Sequence, residues 1–246
     1  MTGQLNLTSP SVLVSFDDGC VSVHRLGLPI LRQYGARAIL FVTIDPDSYV
    51  FKLGDGSDRR MTDDELREAD RDVLEIGAHG VTHQPLMGLD ADTVRHELAE
   101  SRRILGEMLG HSVEFLAIPG NWHDRQVVRL AREVGYRAAW CSNPGAMRPG
   151  SAAYRLPRIN VEGQLTLAQF QSAIAPWGIA QRRLLAGVKR LPGRLLGPRV
   201  WLPIRRVLLL CIPGRHLSMR RMILLAGTLL ALTVVTVLVW VVLANR

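Results

Sequence analysis

Residues 11–19 read Ser-Val-Leu-Val-Ser-Phe-Asp-Asp-Gly, an apolar run that stops on two adjacent carboxylates and a glycine. Ser11 to Phe16 has the composition of a strand buried on both faces, as strands are in a parallel sheet. Asp17 and Asp18 then fall at the carboxyl end of that strand, where α/β proteins build their sites. One aspartate there is ordinary, as a helix cap or a turn residue. Two adjacent ones invite a cation, which keeps one ionised and leaves the other free to accept a proton.

The text on either side supports that placement. Gly27 to Tyr34 reads as a helix closed by Gly35, and Arg37 to Thr43 as a second strand, which makes a β-α-β unit. The pattern recurs. A helix runs from Thr62, its cap, to Ala69, with Glu65 three residues on. A strand spans Val73 to Ala78, and a helix spans Asp92 to Leu109 before Gly110. Another strand spans Val113 to Ile118, and a helix spans Asp124 to Val134 before Gly135. Alternating β and α predicts a parallel sheet or barrel with its site at the carboxyl ends of the strands.

His79 and His83 follow the third of these strands. Four residues apart, two imidazoles converge on one cation if the segment forms a helical turn, and with one aspartate they make a facial triad that leaves open positions. A solvated or core histidine pair is the commoner meaning of such spacing alone. A carboxylate pair at one strand end and a histidine pair at another make the metal-site reading the stronger one.

These residues resemble the polysaccharide deacetylases of the NodB-homology type, carbohydrate esterase family 4. Ser15-Phe16-Asp17-Asp18-Gly19 is similar to that family's first motif, and His79-Gly80-Val81-Thr82-His83 to its second, His-x-x-x-His. The resemblance runs from residue 11 to about 175. It takes in Leu28-Pro29-Ile30-Leu31, Glu75 to His79, Glu97-Leu98 to Ser101, Gly135-Tyr136 and Pro157-Arg158-Ile159. It implies a distorted (β/α) barrel of the polysaccharide-deacetylase type and an enzyme that hydrolyses the linear amide of an N-acylated amino sugar. It further implies that Asp17 is the general base, and that Asp18, His79 and His83 hold a divalent metal. Zinc is the first expectation, and cobalt, nickel or iron suit the same ligands.

Two motifs depart from the family. Leu116-Ala117-Ile118-Pro119-Gly120-Asn121-Trp122 places Ala117 where the third motif has an arginine, so a charge partner for the base is missing or comes from elsewhere. Pro119 and Gly120 remain as substrate-contacting positions, and Trp122 offers either an aromatic wall for a sugar ring or simple packing. The last motif, Leu-x-x-His, has no counterpart, because the only histidine after His123 is His216 in the tail. His123 is the candidate replacement acid; a surface histidine ahead of a helix capped by Asp124 is the plainer alternative.

Charge divides the chain. Of 30 Lys and Arg, 11 lie between Arg182 and Arg221 and 18 precede residue 176, whereas all 22 Asp and Glu end at Glu162. The net charge of +8 therefore belongs to the tail, which removes most of the support for a nucleic-acid partner. Met222 to Ala244 carries no charge over 23 residues and predicts a C-terminal transmembrane helix. The expected divisions are a catalytic domain at 1–175, a basic Pro/Arg-rich linker at 176–221 and the membrane helix at 222–244. The linker either lies along lipid headgroups or is disordered. Its prolines at 192, 198, 203 and 213 are expected to interrupt any long helix.

No basic and apolar leader precedes the first strand, and the arginines crowd before the apolar run. The positive-inside rule then puts the catalytic domain in the cytoplasm. That topology favours a membrane-associated or lipid-linked glycan as substrate, with membrane lipid as the second partner. A non-catalytic metal- or sugar-binding module is the alternative, and the retained Asp17 speaks against it. Cys20, Cys141 and Cys211 have no metal or disulfide spacing and are expected to be unpaired.

Overall fold

The computed structural model describes residues 11–48, 58–70, 72–121, 123–161, 163 and 165–196 of the 246. Among these residues six strands form one sheet: β1 (Val14–Phe16), β2 (Ala38–Val42), β3 (Leu74–Ala78), β4 (Phe115–Ala117), β5 (Ala138–Cys141) and β6 (Leu156–Pro157). Each pairs in parallel with its neighbour in sequence, in the order β1-β2-β3-β4-β5-β6. Their carboxyl ends consequently share one rim. The sheet is an open, curled half-barrel of the expected α/β kind: β1 and β6 are its two edges, yet side chains just beyond them touch.

Period-2 alternation sorts the strand residues onto two faces. Leu40, Val42, Ile76, Leu116 and Ala139 join one cluster with Leu28, Leu66, Leu98 and Leu130 from the helices, so this is the outer, helix-covered face. Ile39, Phe41, Ala117, Ala138 and Trp140 form a second, smaller cluster on the inner face. There Phe41 and Phe115 both pack on Trp140, with ring centroids 5.6 and 5.5 Å away. The apolar run that becomes β2 shows this two-faced burial, whereas the expectation that Ser11 to Phe16 is buried on both faces is corrected: β1 is an edge strand, half-buried throughout, and Val12 and Leu13 before it are 80% and 44% exposed.

The helices are α1 (Leu28–Gln33), α2 (Asp63–Asp70), α3 (Ala91–Leu109), α4 (Arg125–Val134), α5 (Leu167–Ile174) and α6 (Pro176–Leu196). A π-helical turn over Val23–Gly27 leads into α1. The expected caps are present. Thr62 and Glu65 exchange hydrogen bonds ahead of α2, Asp124 accepts from Val127 N at the start of α4, and Gly110 and Gly135 close α3 and α4. Sequence periodicity gave no sign of β5, β6 or α5.

By compactness the chain divides into two units, residues 1–186 and 187–246. The expectation that Pro192 would interrupt the linker is corrected: α6 continues through it to Leu196. A proline removes one backbone donor and bends a helix without having to end it. Among the described residues no helix is long and apolar enough to cross a membrane; 197–246, which hold the predicted transmembrane segment, lie outside them. Among the described residues Cys20 and Cys141 form no disulfide, and Cys211 lies outside them.

One close approach fixes the inner face. A Cβ on Gly77, in the middle of β3, would stand 2.6 and 2.7 Å from Phe41 ring carbons and 3.1 Å from the Phe115 carbonyl oxygen. Only glycine lets Phe41 lie across the barrel there. Gly77→Ala is therefore expected to destabilise the fold by about 1–3 kcal/mol, the usual penalty of overpacking, as read from urea unfolding.

Candidate active site

The rim gathers four of the predicted residues. Continuing the alternation of β1, Asp17 falls on the inner face beyond Ser15. His79 does the same beyond Gly77 of β3. Asp18 turns the chain with a left-handed backbone (φ 72°), held by Thr43 N donating to its carbonyl at 3.1 Å and by Gly19 N donating to Asp17 O at 3.0 Å. Such a conformation is uncommon for a residue with a side chain and is tolerated best by Asp and Asn.

Residues 79–83 do not form the helical turn expected for the histidine pair. Gly80 (φ 79°) and His83 (φ 63°) both adopt left-handed backbone, and the segment is a tight loop. Its shape is imposed by Glu97, a residue of α3 only 2% exposed. The Glu97 carboxylate accepts from Val81 N (2.7 Å), Thr82 N (3.1 Å), Thr82 Oγ1 (2.7 Å) and Gln84 Nε2 (2.9 Å). Backbone donors that a helix would use internally are spent on this one buried carboxylate instead. Ser48 Oγ donates to Thr82 O at 2.9 Å from the other side.

His79 and His83 converge all the same. His79 is buried, and its Nδ1 lies 2.7 Å from the Ala117 carbonyl oxygen. A carbonyl can only accept, so Nδ1 carries the proton and Nε2 presents its lone pair. That Nε2 lies 3.2 Å from His83 Nε2 and 3.7 Å from Asp18 Oδ1, and His83 Nε2 lies 3.3 Å from the same oxygen. One ligand atom from each of Asp18, His79 and His83 falls within 4.8 Å of the others.

The donor set fits a divalent cation. Asp18 Oδ1 is buried and, among the described residues, has no hydrogen-bond partner. Burial pushes both imidazoles below the ordinary histidine value and so toward the neutral, ligating form. Burial also raises Asp18, against the pull of His79 and with repulsion from Asp17 added. A cation would reverse that penalty.

Asp17 is engaged differently. Arg158, the residue after β6, grips it in a two-pronged fork: Nη1 donates to Oδ1 at 2.6 Å and Nη2 to Oδ2 at 2.9 Å. Burial alone would raise Asp17, but His79 and Arg158 outweigh it and hold the carboxyl below its usual range. Because burial keeps His79 neutral, Arg158 is the cation that persists near neutral pH.

Of the remaining predicted residues, Pro119, Gly120 and His123 lie in the segment between β4 and α4. Pro119 is buried and begins a short 3₁₀ turn in which exposed Gly120 has φ 59°. A side chain on Gly80 would approach within 3.5 Å of Pro119, so Pro119 backs the histidine loop. His123 Nε2 lies 3.7 Å from Cys141 Sγ at the end of β5, and Asp124 caps α4. Trp122 lies outside the described residues.

A family model described as "Polysaccharide deacetylase" matches residues 4–139. The chain belongs to the polysaccharide deacetylase family. Among curated proteins it is 23% identical over 163 residues to YxkH of Bacillus subtilis (strain 168), named for the polysaccharide deacetylases. The match covers 66% of this chain and 56% of that protein, so the chain spans little more than half of its relative's length. Among solved structures it is similar to Streptococcus pyogenes deacetylase PplD in complex with acetate, with a TM-score of 0.59 at 20% identity over 70% of this chain and 74% of that one. It is also similar to BC0361, a polysaccharide deacetylase from Bacillus cereus, with a TM-score of 0.55 at 21% identity over 66% and 51%. At such identities the two structures support the polysaccharide-deacetylase fold.

Within that fold two residues emerge to which the sequence had assigned no role. Arg158 follows a two-residue strand that shows no periodicity, and its only sequence signal is the Pro157-Arg158-Ile159 likeness. Glu97 announced itself more openly, as a carboxylate among the buried positions Val94, Leu98, Ser101 and Leu105 of α3. In this member of the family Glu97→Gln is expected to keep the fold yet weaken divalent-metal binding by roughly 10–100-fold, the range for lost outer-shell partners, as measured by chelator competition.

Proposed function

We propose that the chain is a divalent-metal-dependent hydrolase that removes an N-acetyl or similar N-acyl group from an amino sugar. The observation that carries this reading is a further carboxylate, Asp17, held by Arg158 beside a candidate three-ligand cluster of Asp18, His79 and His83. A purely structural metal site has no use for such a neighbour, and three ligands are the number that catalytic sites employ.

When bound, the cation supplies Lewis acidity, which eases ionisation of water and polarises the amide carbonyl. Zinc is the proposed metal. The chain's own residues do the rest. Asp17 takes the proton of the attacking water; it stays ionised because Arg158 opposes the effect of burial. The hydrogen bond from His79 Nδ1 to Ala117 keeps Nε2 aimed at the site. Glu97 holds the loop that carries His83. We assign protonation of the leaving amine to His123, which follows β4 and whose Nε2 lies 3.7 Å from Cys141 Sγ. Pro119, Gly120 and Trp122 are the proposed sugar-contacting positions, by likeness to the third family motif.

The proposed substrate is a membrane-associated glycan or a lipid-linked amino sugar. Supporting this are the uncharged stretch 222–244 and the 11 Lys and Arg between residues 182 and 221, which suit an anionic lipid surface. With that charge asymmetry the catalytic domain is proposed to face the cytoplasm.

The test is acetate and amine release by the detergent-solubilised full chain from N-acetylated glycolipids and chitooligosaccharides. Activity is expected only with added divalent metal. Asp17→Asn should keep its metal while turnover falls by about 10²–10⁴, the range for loss of a general base. His79→Ala should lose the metal itself. Equal metal loss in both variants would contradict this division of roles, and release without metal would contradict the mechanism.

A further inference from the structure

Helix α6 turns an apolar face to solvent. Trp177 and Leu184 are 62% and 69% exposed, and Ala180 and Gln181 between them are exposed as well. Positions three and four residues apart share one side of a helix. On the opposite side Gly178 is buried and Ile179, Arg182 and Leu185 are half-buried, so α6 is seated by that side and leaves the first one uncovered. A single exposed apolar side chain is ordinary, but these are aligned, and in the sequence the same spacing runs on through Val188, Leu191 and Leu195.

Charge indicates what covers this face. Arg183 is exposed at its flank, and α6 carries Arg182, Arg183, Lys189, Arg190 and Arg194 with no acidic residue. No Asp or Glu follows Glu162 in the sequence. A helix of one sign with tryptophan and leucine aligned on it suits an anionic bilayer, where the apolar side chains enter the headgroup–acyl boundary and the arginines reach the phosphates. Tryptophan is enriched at that depth because its ring is apolar and its N–H is polar. The chain leads in the same direction, since the uncharged residues 222–244 come next after the basic stretch.

We propose that the Trp177–Leu184 face of α6 lies in the headgroup layer of an anionic bilayer and holds the rim that carries Asp17 beside that layer. Arg182 makes the link. From the seated side of α6 its Nη1 donates to Asn160 O at 3.3 Å, and Asn160 stands two residues past Arg158, whose fork grips Asp17. The helix that meets lipid is thus tied to the carboxyl end of the last strand. A sugar attached to a lipid would reach Asp17 without leaving the surface, at the raised local concentration that tethering provides. The inference rests on the proposal that the chain works at a membrane and adds the face that makes the contact.

The experiment mixes the full chain with vesicles of phosphatidylcholine and phosphatidylglycerol, or of phosphatidylcholine alone. The fluorescence that Trp177→Phe removes belongs to Trp177. It should be quenched by lipids brominated high on the acyl chain, and quenched less without phosphatidylglycerol or in Arg183→Gln. Turnover is read on an N-acetylated glycolipid embedded in the vesicles and on a soluble chitooligosaccharide. Trp177→Ser combined with Leu184→Ser should lower turnover of the embedded glycolipid by about tenfold, because two apolar anchors are lost, and leave the soluble substrate unaffected. If the double variant fails to fold, the quenching that Trp177→Phe removes still decides.

Trp177 fluorescence untouched by brominated lipid, in a chain that sediments with the vesicles, would overturn the proposal and leave the membrane reading standing. A chain that stays in the supernatant would overturn both. Self-association abolished by the double variant, without quenching, would give the face to a second copy and overturn the proposal as well. Quenching with no loss on the embedded glycolipid would break the link between that face and the rim. Quenching in a protein that hydrolyses neither substrate would uphold the contact and sink the deacetylase reading instead.

Discussion

A single guanidinium–carboxylate fork joins the two ends of the sheet. Asp17 follows the first strand and Arg158 the last, 141 residues later, and their side chains meet across the edge that backbone pairing leaves open. β1 has three residues and β6 two, too few for ladder hydrogen bonds to close a barrel. The curl of the sheet, the seating of Phe41 beneath the guanidinium and the placing of Asp17 beside the histidine pair all meet in this one contact. Being 11% exposed on the arginine side, it is shielded from the water that makes surface ion pairs weak.

Much of the frame was legible in the sequence because it depends on local rules. Buried parallel strands are written as apolar runs such as Ala38 to Val42, which is buried throughout, and helix ends are written as Asp, Thr and Gly at fixed offsets. The cluster of Asp18, His79 and His83 was legible for the same reason: each lies just past a predicted strand end, and in a parallel sheet all such ends share one rim.

What escaped depends on contacts far apart in sequence. The histidine spacing suggested a helical turn, but Glu97, fourteen residues beyond His83, draws the loop's amides to itself and forces left-handed backbone. The replacement for the arginine absent at Ala117 was invisible because nothing near residue 117 points to residue 158. Only the curl of the sheet brings them to one place. β6 is too short for a period to declare itself.

The left-handed backbone at Asp18 and His83 has a consequence for how the site meets its cation. Two ligand-bearing residues sit in conformations that are unfavourable by themselves and are sustained by the protein: Thr43 N and the turn at Gly19 hold the first, and the Glu97 carboxylate holds the segment leading to the second. The work of ordering the ligands is done when the chain folds. On the metal-site reading proposed above, capture of a cation would resemble docking into a finished socket rather than the coupled folding of a zinc finger, with little conformational entropy left to lose. On that reading, stripping an ion would leave the socket standing, and one divalent metal could replace another without the chain passing through an unfolded state.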